Sequence, residues 1–119
     1  MKKKIFISHP YSNNPTKNKQ SVESICKWLL TQGVVPISPL HMFSFYEEDV
    51  DREVIMDTCK HLINMSDEVW IYGNSSGCME EMRYAFSNGK HIEVKYASMS
   101  MRDISRAMAN YSAEQKDAI

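Results

Sequence analysis

The sequence predicts an α/β protein: a doubly wound parallel sheet of four to five strands with helices on both faces. Three observations lead to this class. The 119 residues suit a single domain, residues 1–119. The 43% hydrophobic fraction is that of a globular chain rather than a disordered one. Short β-rich segments alternate with apolar stripes at helical spacing, and such alternation is typical of flavodoxin-like and Rossmann-like sheets.

The elements follow from local signals along the chain. Lys4–Ser8 is β-rich and ends before His9-Pro10, because proline biases the preceding residue toward extended geometry. Gly33 ends the first helix. The predicted elements are, in order, strand Lys4–Ser8, a helix from about Asn18 to Gln32, strand Val34–Ser38, a loop, a helix over roughly Asp51–Met65, strand Asp67–Gly73, a helix after Asn74–Gly77, strand His91–Tyr96 and a final helix from Ser100.

Two strands have predictable places in the sheet. Pro36 lacks an amide donor, which favours an edge position for the second strand. The third strand, Asp67–Gly73, is apolar enough to lie centrally. At the other end of the chain, Ser100 and Asp103 resemble a capping box, and the polar tail from about Ser112 is expected to fray.

Composition excludes several classes of function. A net charge of −1 argues against binding nucleic acid or anionic membranes through charge alone. No apolar run approaches the roughly 20 residues of a membrane span, and MKKKIFISHP is too polar for a signal peptide, so a cytosolic protein is predicted. Three cysteines without a CxxC spacing and four scattered histidines disfavour a disulfide framework or a zinc site. We therefore expect no metal and no cofactor.

Ligands of open parallel sheets bind beyond the carboxyl ends of the strands. This rule selects segments Ser8–Asn14, Ser38–Tyr46 and Gly73–Glu81. In the last of these, Ser75, Ser76 and Gly77 precede a helix, where free amides favour an anion.

Three motifs carry a family resemblance. The run Ser-x-Gly-x-x-x-Glu-x-x-x-Ala spans Ser75 to Ala85, KIFISHPYS opens the chain, and DEVWIYG forms the third strand. Together they resemble the nucleoside 2-deoxyribosyltransferase superfamily, particularly its small phage and bacterial members, over roughly residues 3 to 96. The resemblance implies a glutamate that attacks the anomeric carbon of a nucleoside. The base then leaves, and water or a second base completes the reaction. Arg83, together with Ser75, Ser76 and Gly77, favours a nucleoside 5′-phosphate as the substrate.

The resemblance also implies roles for individual residues. Glu81 aligns with the nucleophile, and a carboxylate can form a covalent glycosyl ester. Asp57 is the nearest candidate for the general acid, although a surface aspartate is an equal interpretation, and the acid position of the hydrolase branch falls on Cys59. The candidate substrate-binding residues are Ser8, His9, Pro10, Tyr11, His41, Phe43, Gly73, Ser75, Ser76, Gly77 and Arg83.

Several of these residues have two interpretations. His9 stands where the family has glycine, so it narrows the site or supplies a hydrogen-bond donor. His41 and Phe43 belong to a loop rich in aromatics that either covers a base or packs at a subunit interface. Arg83 either engages a phosphate or is a solvated helix residue.

Three functions remain open from the sequence. The first is N-glycosidic cleavage by a hydrolase or deoxyribosyltransferase. The second is a non-catalytic module that binds or sequesters a nucleotide. The third is a Toll/interleukin-receptor-like domain that cleaves NAD or signals, because KIFISH followed by a polar loop and a helix resembles the opening of those domains. An exposed sheet edge also predicts a homo-oligomer.

Overall fold

The computed structural model describes residues 2–45 and 48–96. The elements are β1 (Lys4–Ser8), α1 (Pro15–Thr31), β2 (Val35–Ile37), α2 (Pro39–Met42), α3 (Glu48–Met65), β3 (Glu68–Ile71), α4 (Ser76–Ser87) and β4 (His91–Val94). The predicted final helix and the polar tail lie outside the described residues. In the part of the chain that the structure covers, no helix combines the length and the apolar character that crossing a membrane requires.

The four strands form one parallel sheet in the order β2-β1-β3-β4. This arrangement confirms the predicted fold class. It also confirms the edge position of the strand that contains Pro36 and the central position of β3. The chain moves to one side of β1 to form β2 and to the other side to form β3. The switch in strand order therefore lies between β1 and β3, where a ligand site is expected.

Helices cover both faces of the sheet because the side chains of β1 alternate. Ile5 and Ile7 form a buried cluster with Val22 and Leu29 of α1. Phe6 points to the opposite face, where it joins the larger cluster formed with α3 and α4. That cluster consists of Phe6, Cys59, Ile63, Val69, Ile71, Cys78, Met82, Ala85 and Ile92. Two apolar layers thus fix the sheet between α1 and the α3–α4 pair.

Two differences from the predicted helices have local reasons. Helix α1 begins at Pro15 rather than near Asn18, because the Asn14 side chain accepts a hydrogen bond from the Lys17 amide and proline is favourable in a first helical turn. The short helix α2 replaces part of a predicted loop and starts at Pro39. In both cases a proline that is typical of a loop occupies the first position of a helix.

The loops that follow β1 and β3 meet closely. The Tyr72 amide donates to the Ser8 carbonyl over 2.7 Å. Gly73 is buried, and a Cβ at this position would collide with the ring of Pro10. Only glycine therefore fits here without displacing Pro10, and this contact holds the first loop against the end of β3.

Candidate active site

A cavity of about 190 Å³ opens at the carboxyl end of the sheet, beside the switch in strand order. The loop after β1, helix α2 and the turn after it, one face of α3 and the start of α4 surround it. Seven of the residues predicted for the site line this cavity. They are His9, Tyr11, Phe43, Ser75, Ser76, Gly77 and Glu81.

Glu81 lies in this cavity and is nearly shielded from solvent, with 8% of its surface exposed. Helix α4 carries it, and Ser8, the last residue of β1, donates a hydrogen bond from Oγ to Glu81 Oε1 over 2.6 Å. Ser8 is itself buried. The structure thus joins the end of a strand to the middle of a helix across 73 residues of sequence.

The protonation of Glu81 is balanced by opposing effects. Burial raises the pKa of the Glu81 carboxyl most strongly, and the negative charge of Glu80 raises it further. Hydrogen bonds from Ser8 and Cys59 lower it, and the result is a pKa of about 7. Near neutral pH this carboxyl therefore exists in both forms, a nucleophilic carboxylate and a carboxylic acid.

Two buried thiols lie beside Glu81. Cys59 of α3 and Cys78 of α4 both line the cavity and are 2% and 1% exposed. Burial raises the pKa of the Cys59 thiol and of the Cys78 thiol, and the charge of Glu81 adds to both shifts. Both sulfurs are consequently protonated at neutral pH, so they serve as weak donors rather than as thiolate nucleophiles.

The rim of the cavity at the start of α4 is electropositive. Ser75 caps this helix and accepts a hydrogen bond from the Cys78 amide over 3.2 Å. Arg52 Nη2 donates to Ser76 Oγ over 3.1 Å, which places a guanidinium group beside the helix start. An anionic group of a ligand has favourable partners at this rim.

Arg52 was not among the residues singled out from the sequence. The sequence feature that could have identified Arg52 is its position on one face of α3. That face carries residues at the i, i+3, i+4 and i+7 positions, which are Arg52, Ile55, Met56 and Cys59, and all four line the cavity. The apolar members of that face indicate burial against the rest of the protein. The face of α3 that meets α4 could be recognised only once both helices were placed.

His9 is held by contacts on three sides. Its ring stacks on Tyr72 with 5.9 Å between the ring centroids. Nδ1 lies 2.7 Å from the Pro10 carbonyl and Nε2 lies 3.2 Å from Ser21 Oγ. Since a carbonyl only accepts, the neutral ring carries its proton on Nδ1. The ring is thereby fixed as one wall of the cavity.

Apolar side chains also line the cavity and form what we call its apolar wall. Tyr11, Leu40, Phe43 and Met56 line it, together with Pro39. Flat apolar and aromatic surfaces of this kind suit a planar ring such as a nucleobase. The cavity therefore offers a buried carboxyl, a cationic rim and an apolar wall to a single ligand.

Other predicted residues lie away from the cavity. Asp57 is on an exposed face of α3, where its Oδ2 is 3.7 Å from Nε2 of His61, and both side chains are about three-quarters exposed. His41 Nδ1 bonds the Ser38 hydroxyl over 2.7 Å and its Nε2 lies 3.4 Å from Oε1 of Glu23 on α1. Six predicted residues are not in the cavity lining: Ser8, Pro10, His41, Asp57, Gly73 and Arg83. Of these, Ser8 is hydrogen-bonded to Glu81, and Gly73 packs against the ring of Pro10.

Among the described residues, one cluster has the side chains to bind a metal ion, and it lies at the other end of the sheet. Glu68, His91 and Glu93 place ligand atoms within 4.8 Å of one another. Lys3 Nζ is 2.6 Å from Glu68 Oε2, and Lys95 Nζ is 3.7 Å from Glu93 Oε1. Because lysines already neutralise both carboxylates, we interpret this cluster as a set of surface ion pairs.

Comparison with solved structures defines the class of this protein as an α/β protein of the 2-deoxyribosyltransferase-like fold. The chain is similar to a 2-desoxiribosyltransferase from Leishmania mexicana, with a TM-score of 0.62, 19% identity, and coverage of 77% of this chain and 63% of that one. It is also similar to a 2-deoxyribosyltransferase from the psychrotolerant bacterium Bacillus psychrosaccharolyticus, with a TM-score of 0.65, 17% identity, and coverage of 83% and 78%. The chain thus spans less than two thirds of the Leishmania protein.

The chain belongs to the family described as "Domain of unknown function (DUF7768)", which matches residues 3–97. No curated protein sequence matches it. The resemblance predicted from the sequence motifs is confirmed for the fold, since the structural relatives share it at low sequence identity.

Proposed function

We propose that this protein cleaves the N-glycosidic bond of a nucleoside or nucleoside 5′-phosphate, with Glu81 as the nucleophile. The observation that carries the proposal is the buried Glu81 carboxyl in a cavity at the switch in strand order, held by the Ser8 hydroxyl at 2.6 Å. A carboxylate shielded from water and aimed into a cavity with an apolar wall has the surroundings that glycosyl transfer needs. The fold shared with two deoxyribosyltransferases supports the same reaction class.

In the proposed reaction, a carboxylate oxygen of Glu81 attacks the anomeric carbon and forms a glycosyl ester. The bond between that carbon and the base nitrogen breaks, its electron pair leaves with the base, and the base takes up a proton from solvent. Water or a second base then attacks the anomeric carbon and loses a proton to solvent, the bond between that carbon and the carboxylate oxygen breaks, and the Glu81 carboxylate is released. None of these steps calls for a metal or a cofactor. Asp57 receives no proton-transfer role in this proposal, because it lies outside the cavity lining beside His61.

A panel of substrates tests this function. Purified protein is incubated with nucleosides, nucleoside 5′-phosphates and NAD, and free base is measured by chromatography. Base released from a nucleoside or its phosphate supports the proposal, whereas nicotinamide released from NAD alone points to the third function considered from the sequence. If no compound of the panel releases free base, the proposed activity is contradicted.

A second candidate function is stoichiometric nucleotide binding without turnover. One observation favours it: among the described residues that line the cavity, Glu81 is the only carboxylic acid, so a departing base has no second acid beside it. Calorimetric titration of the wild-type protein with the same panel detects such binding. Stoichiometric binding with no base released over a long incubation identifies the binding module.

Arg52 is expected to select phosphorylated substrates. Because charge-assisted hydrogen bonds from a guanidinium are strong, Arg52→Gln should lower kcat/KM for a nucleoside 5′-phosphate by about tenfold or more. The same change should alter kcat/KM for the unphosphorylated nucleoside by less than about threefold. Steady-state kinetics on the two substrates measures the difference.

Arg83→Gln is the informative comparison for Arg52. Arg83 is the arginine to which the sequence motif points, but it does not line the cavity. If the Arg83 variant loses its preference for the phosphorylated substrate and the Arg52 variant keeps it, phosphate recognition belongs to Arg83 and not to Arg52.

We further propose that copies of the chain associate. Several large apolar side chains of the described residues are more than half exposed, among them Trp28 and Leu30 of α1 and Phe45. Within the described part of the chain, β2 pairs with another strand on one side only. Sedimentation equilibrium at micromolar concentration is expected to give a mass above the 13.8 kDa of one chain. A strictly monomeric mass across the concentration range contradicts this expectation.

A further inference from the structure

His9 lines the cavity that contains Glu81, and its ring contacts two other parts of the fold. We propose that His9 is a positioning residue, whose ring fixes the loop after β1 (residues 9–14) against the end of β3 and against α1, and which gives no proton to the departing base. The inference rests on the proposed function for its kinetic consequences, while the state of the ring can be measured without any activity.

Both nitrogens of the His9 ring are bonded within the protein. Nδ1 lies 2.7 Å from the carbonyl oxygen of Pro10, which only accepts, so the neutral ring donates its proton there. Nε2 then carries a lone pair, and the Ser21 hydroxyl donates to it over 3.2 Å. A general acid needs an N–H within hydrogen-bond reach of the departing base, and the one N–H proton of this ring is directed at Pro10.

The His9 side chain joins the loop to the residues that follow β3. Its ring stacks on the ring of Tyr72, with 5.9 Å between the centroids and 27° between the planes. The neighbours of His9 make contacts in the same place, since the Ser8 carbonyl accepts from the Tyr72 amide and the Pro10 ring packs against Gly73. Three consecutive residues thus contact the end of β3, and His9 does so through its side chain.

Helix α1 supports the same loop from another side. Ser21 lies on α1, is exposed and does not belong to the cavity lining. Three residues earlier on this helix, Asn18 Nδ2 donates to the Tyr11 carbonyl over 3.0 Å. Because helical residues three apart are surface neighbours, one side of α1 contacts the loop at both His9 and Tyr11.

The loop that these contacts fix lies next to the residues of the proposed reaction. His9 directly follows Ser8, which donates to Glu81 over 2.6 Å, and Tyr11 belongs to the apolar wall. A loop lacks the hydrogen-bond ladder of a strand, so side-chain contacts of this kind restrict its shape. Loss of the His9 contacts is therefore expected to weaken substrate binding more than it slows the chemical step.

The state of the ring is tested by NMR on protein labelled with nitrogen-15 at histidine, at about pH 8.5, where a free imidazole is neutral. The His9 resonances are assigned by their loss in His9→Phe. Long-range proton–nitrogen correlations are expected to place the proton on Nδ1. A proton found on Nε2 overturns the proposal.

Two serine variants of α1 form a matched pair for the same NMR measurement. In Ser21→Ala the Nε2 resonance of His9 is expected to move toward the position of a nitrogen that accepts no hydrogen bond. Ser24→Ala makes the same chemical change on the same helix, but Ser24 bonds the carbonyl of Gln20, so the resonance should stay in place. Equal behaviour of the two variants contradicts the contact between His9 and Ser21.

A double-mutant cycle on nucleotide affinity tests whether His9 and Ser21 act together. Ser21→Ala is expected to raise the Kd for a nucleoside 5′-phosphate about threefold, within the range of one lost hydrogen bond. In a His9→Phe background the same change should have no further effect, because the nitrogen that accepts from Ser21 is gone. Calorimetric titration measures all four proteins, and an equal effect of Ser21→Ala in both backgrounds overturns the positioning role.

Steady-state kinetics separates positioning from acid catalysis. His9→Phe keeps a ring for the stack on Tyr72 and removes both nitrogens, so KM for a nucleoside is expected to rise about threefold to tenfold, with kcat within about threefold of the wild type. The 4-nitrophenyl glycoside of the same sugar, whose leaving group needs no proton, should lose kcat/KM to the same extent. His61→Phe, an exposed change on α3 outside the cavity lining, should behave as the wild type.

A general acid would give a different result in these assays. Its removal lowers kcat for the nucleoside by about a hundredfold or more and leaves the 4-nitrophenyl glycoside nearly unaffected. That pattern in His9→Phe overturns the positioning role. If His9→Phe fails to fold, His9→Asn takes its place, because its shorter side chain keeps an amide donor and has no group in the position of Nε2.

The outcomes also separate this inference from the proposed function. A protein that binds the nucleotide and releases no base contradicts the proposed function, and the NMR comparison and the affinity cycle still decide the role of His9. A protein that neither binds a nucleotide nor releases base overturns both.

Discussion

Glu81→Gln is expected to lower base release by about a thousandfold or more, because an amide cannot form the glycosyl ester that the proposed reaction needs. Glutamine has nearly the shape of glutamate, and its carbonyl oxygen can still accept the 2.6 Å hydrogen bond from Ser8. Nucleotide affinity should therefore stay within a few-fold of the wild type. Chromatography of free base and calorimetric titration of the nucleotide measure the two quantities on the same preparation.

Glu80→Gln is the matched control for this result. Glu80 is the preceding residue of α4, is half-buried and does not line the cavity. Removal of its charge slightly favours the ionised form of Glu81, so base release should stay within about threefold of the wild type. Equal losses in the two variants, or undiminished release by Glu81→Gln, would exclude Glu81 as the nucleophile.

The same Glu81→Gln substitution is expected to stabilise the fold at alkaline pH. In the folded protein the Glu81 pKa is raised from 4.5 to about 7, chiefly by burial. The stabilising contribution of a raised carboxyl pKa is fully present below the unfolded value, near pH 4.5, and is lost as pH rises through about 7. Above pH 7 the wild type therefore forfeits up to about 3 kcal/mol of unfolding free energy that the uncharged amide of the Glu81→Gln variant retains.

Urea unfolding of the two proteins at pH 4.5 and pH 8 measures this difference. The unfolding free energy of Glu81→Gln minus that of the wild type should be near zero at the lower pH and grow to a value of up to about 3 kcal/mol at the higher pH. A difference that does not change with pH would mean that the folded carboxyl ionises as it does in the unfolded chain. A positive difference at the higher pH would show that the negative charge of Glu81 lowers the stability of the folded protein, as is common for residues at functional sites.

Much of the fold could be predicted because its signals are local. Strand β1 has the predicted bounds, Lys4–Ser8, and the missing amide of Pro36 and the apolar third strand correctly predicted an edge and a central position. The misplaced start of α1 and the unpredicted α2 share one cause. Pro15 and Pro39 disrupt a helix when they lie inside it but are favourable in its first turn, and local sequence does not separate these cases.

The residues of the candidate site also differ in whether the sequence alone could indicate them. The spacing of Gly77, Glu81 and Ala85 lies within one helix, so sequence alone could indicate Glu81 as the residue of interest. Arg52 and Cys59 belong to another helix, and their relation to Glu81 depends on how α3 meets α4. Sequence reasoning pointed instead to Arg83 and Asp57, which the structure places outside the cavity lining.

By itself, then, the sequence determined the alternation of strands and helices, the parallel sheet and the helix that carries Glu81, because hydrophobic periodicity and turn residues act over a few neighbouring positions. The tertiary structure alone decided which groups surround the carboxyl. Ser8 lies 73 residues from Glu81 in sequence and 2.6 Å from it in space, and Cys59 lines the same cavity from a third element. Contacts of this kind arise from the packing of layers on both faces of the sheet, a property of the whole fold that no local pattern contains.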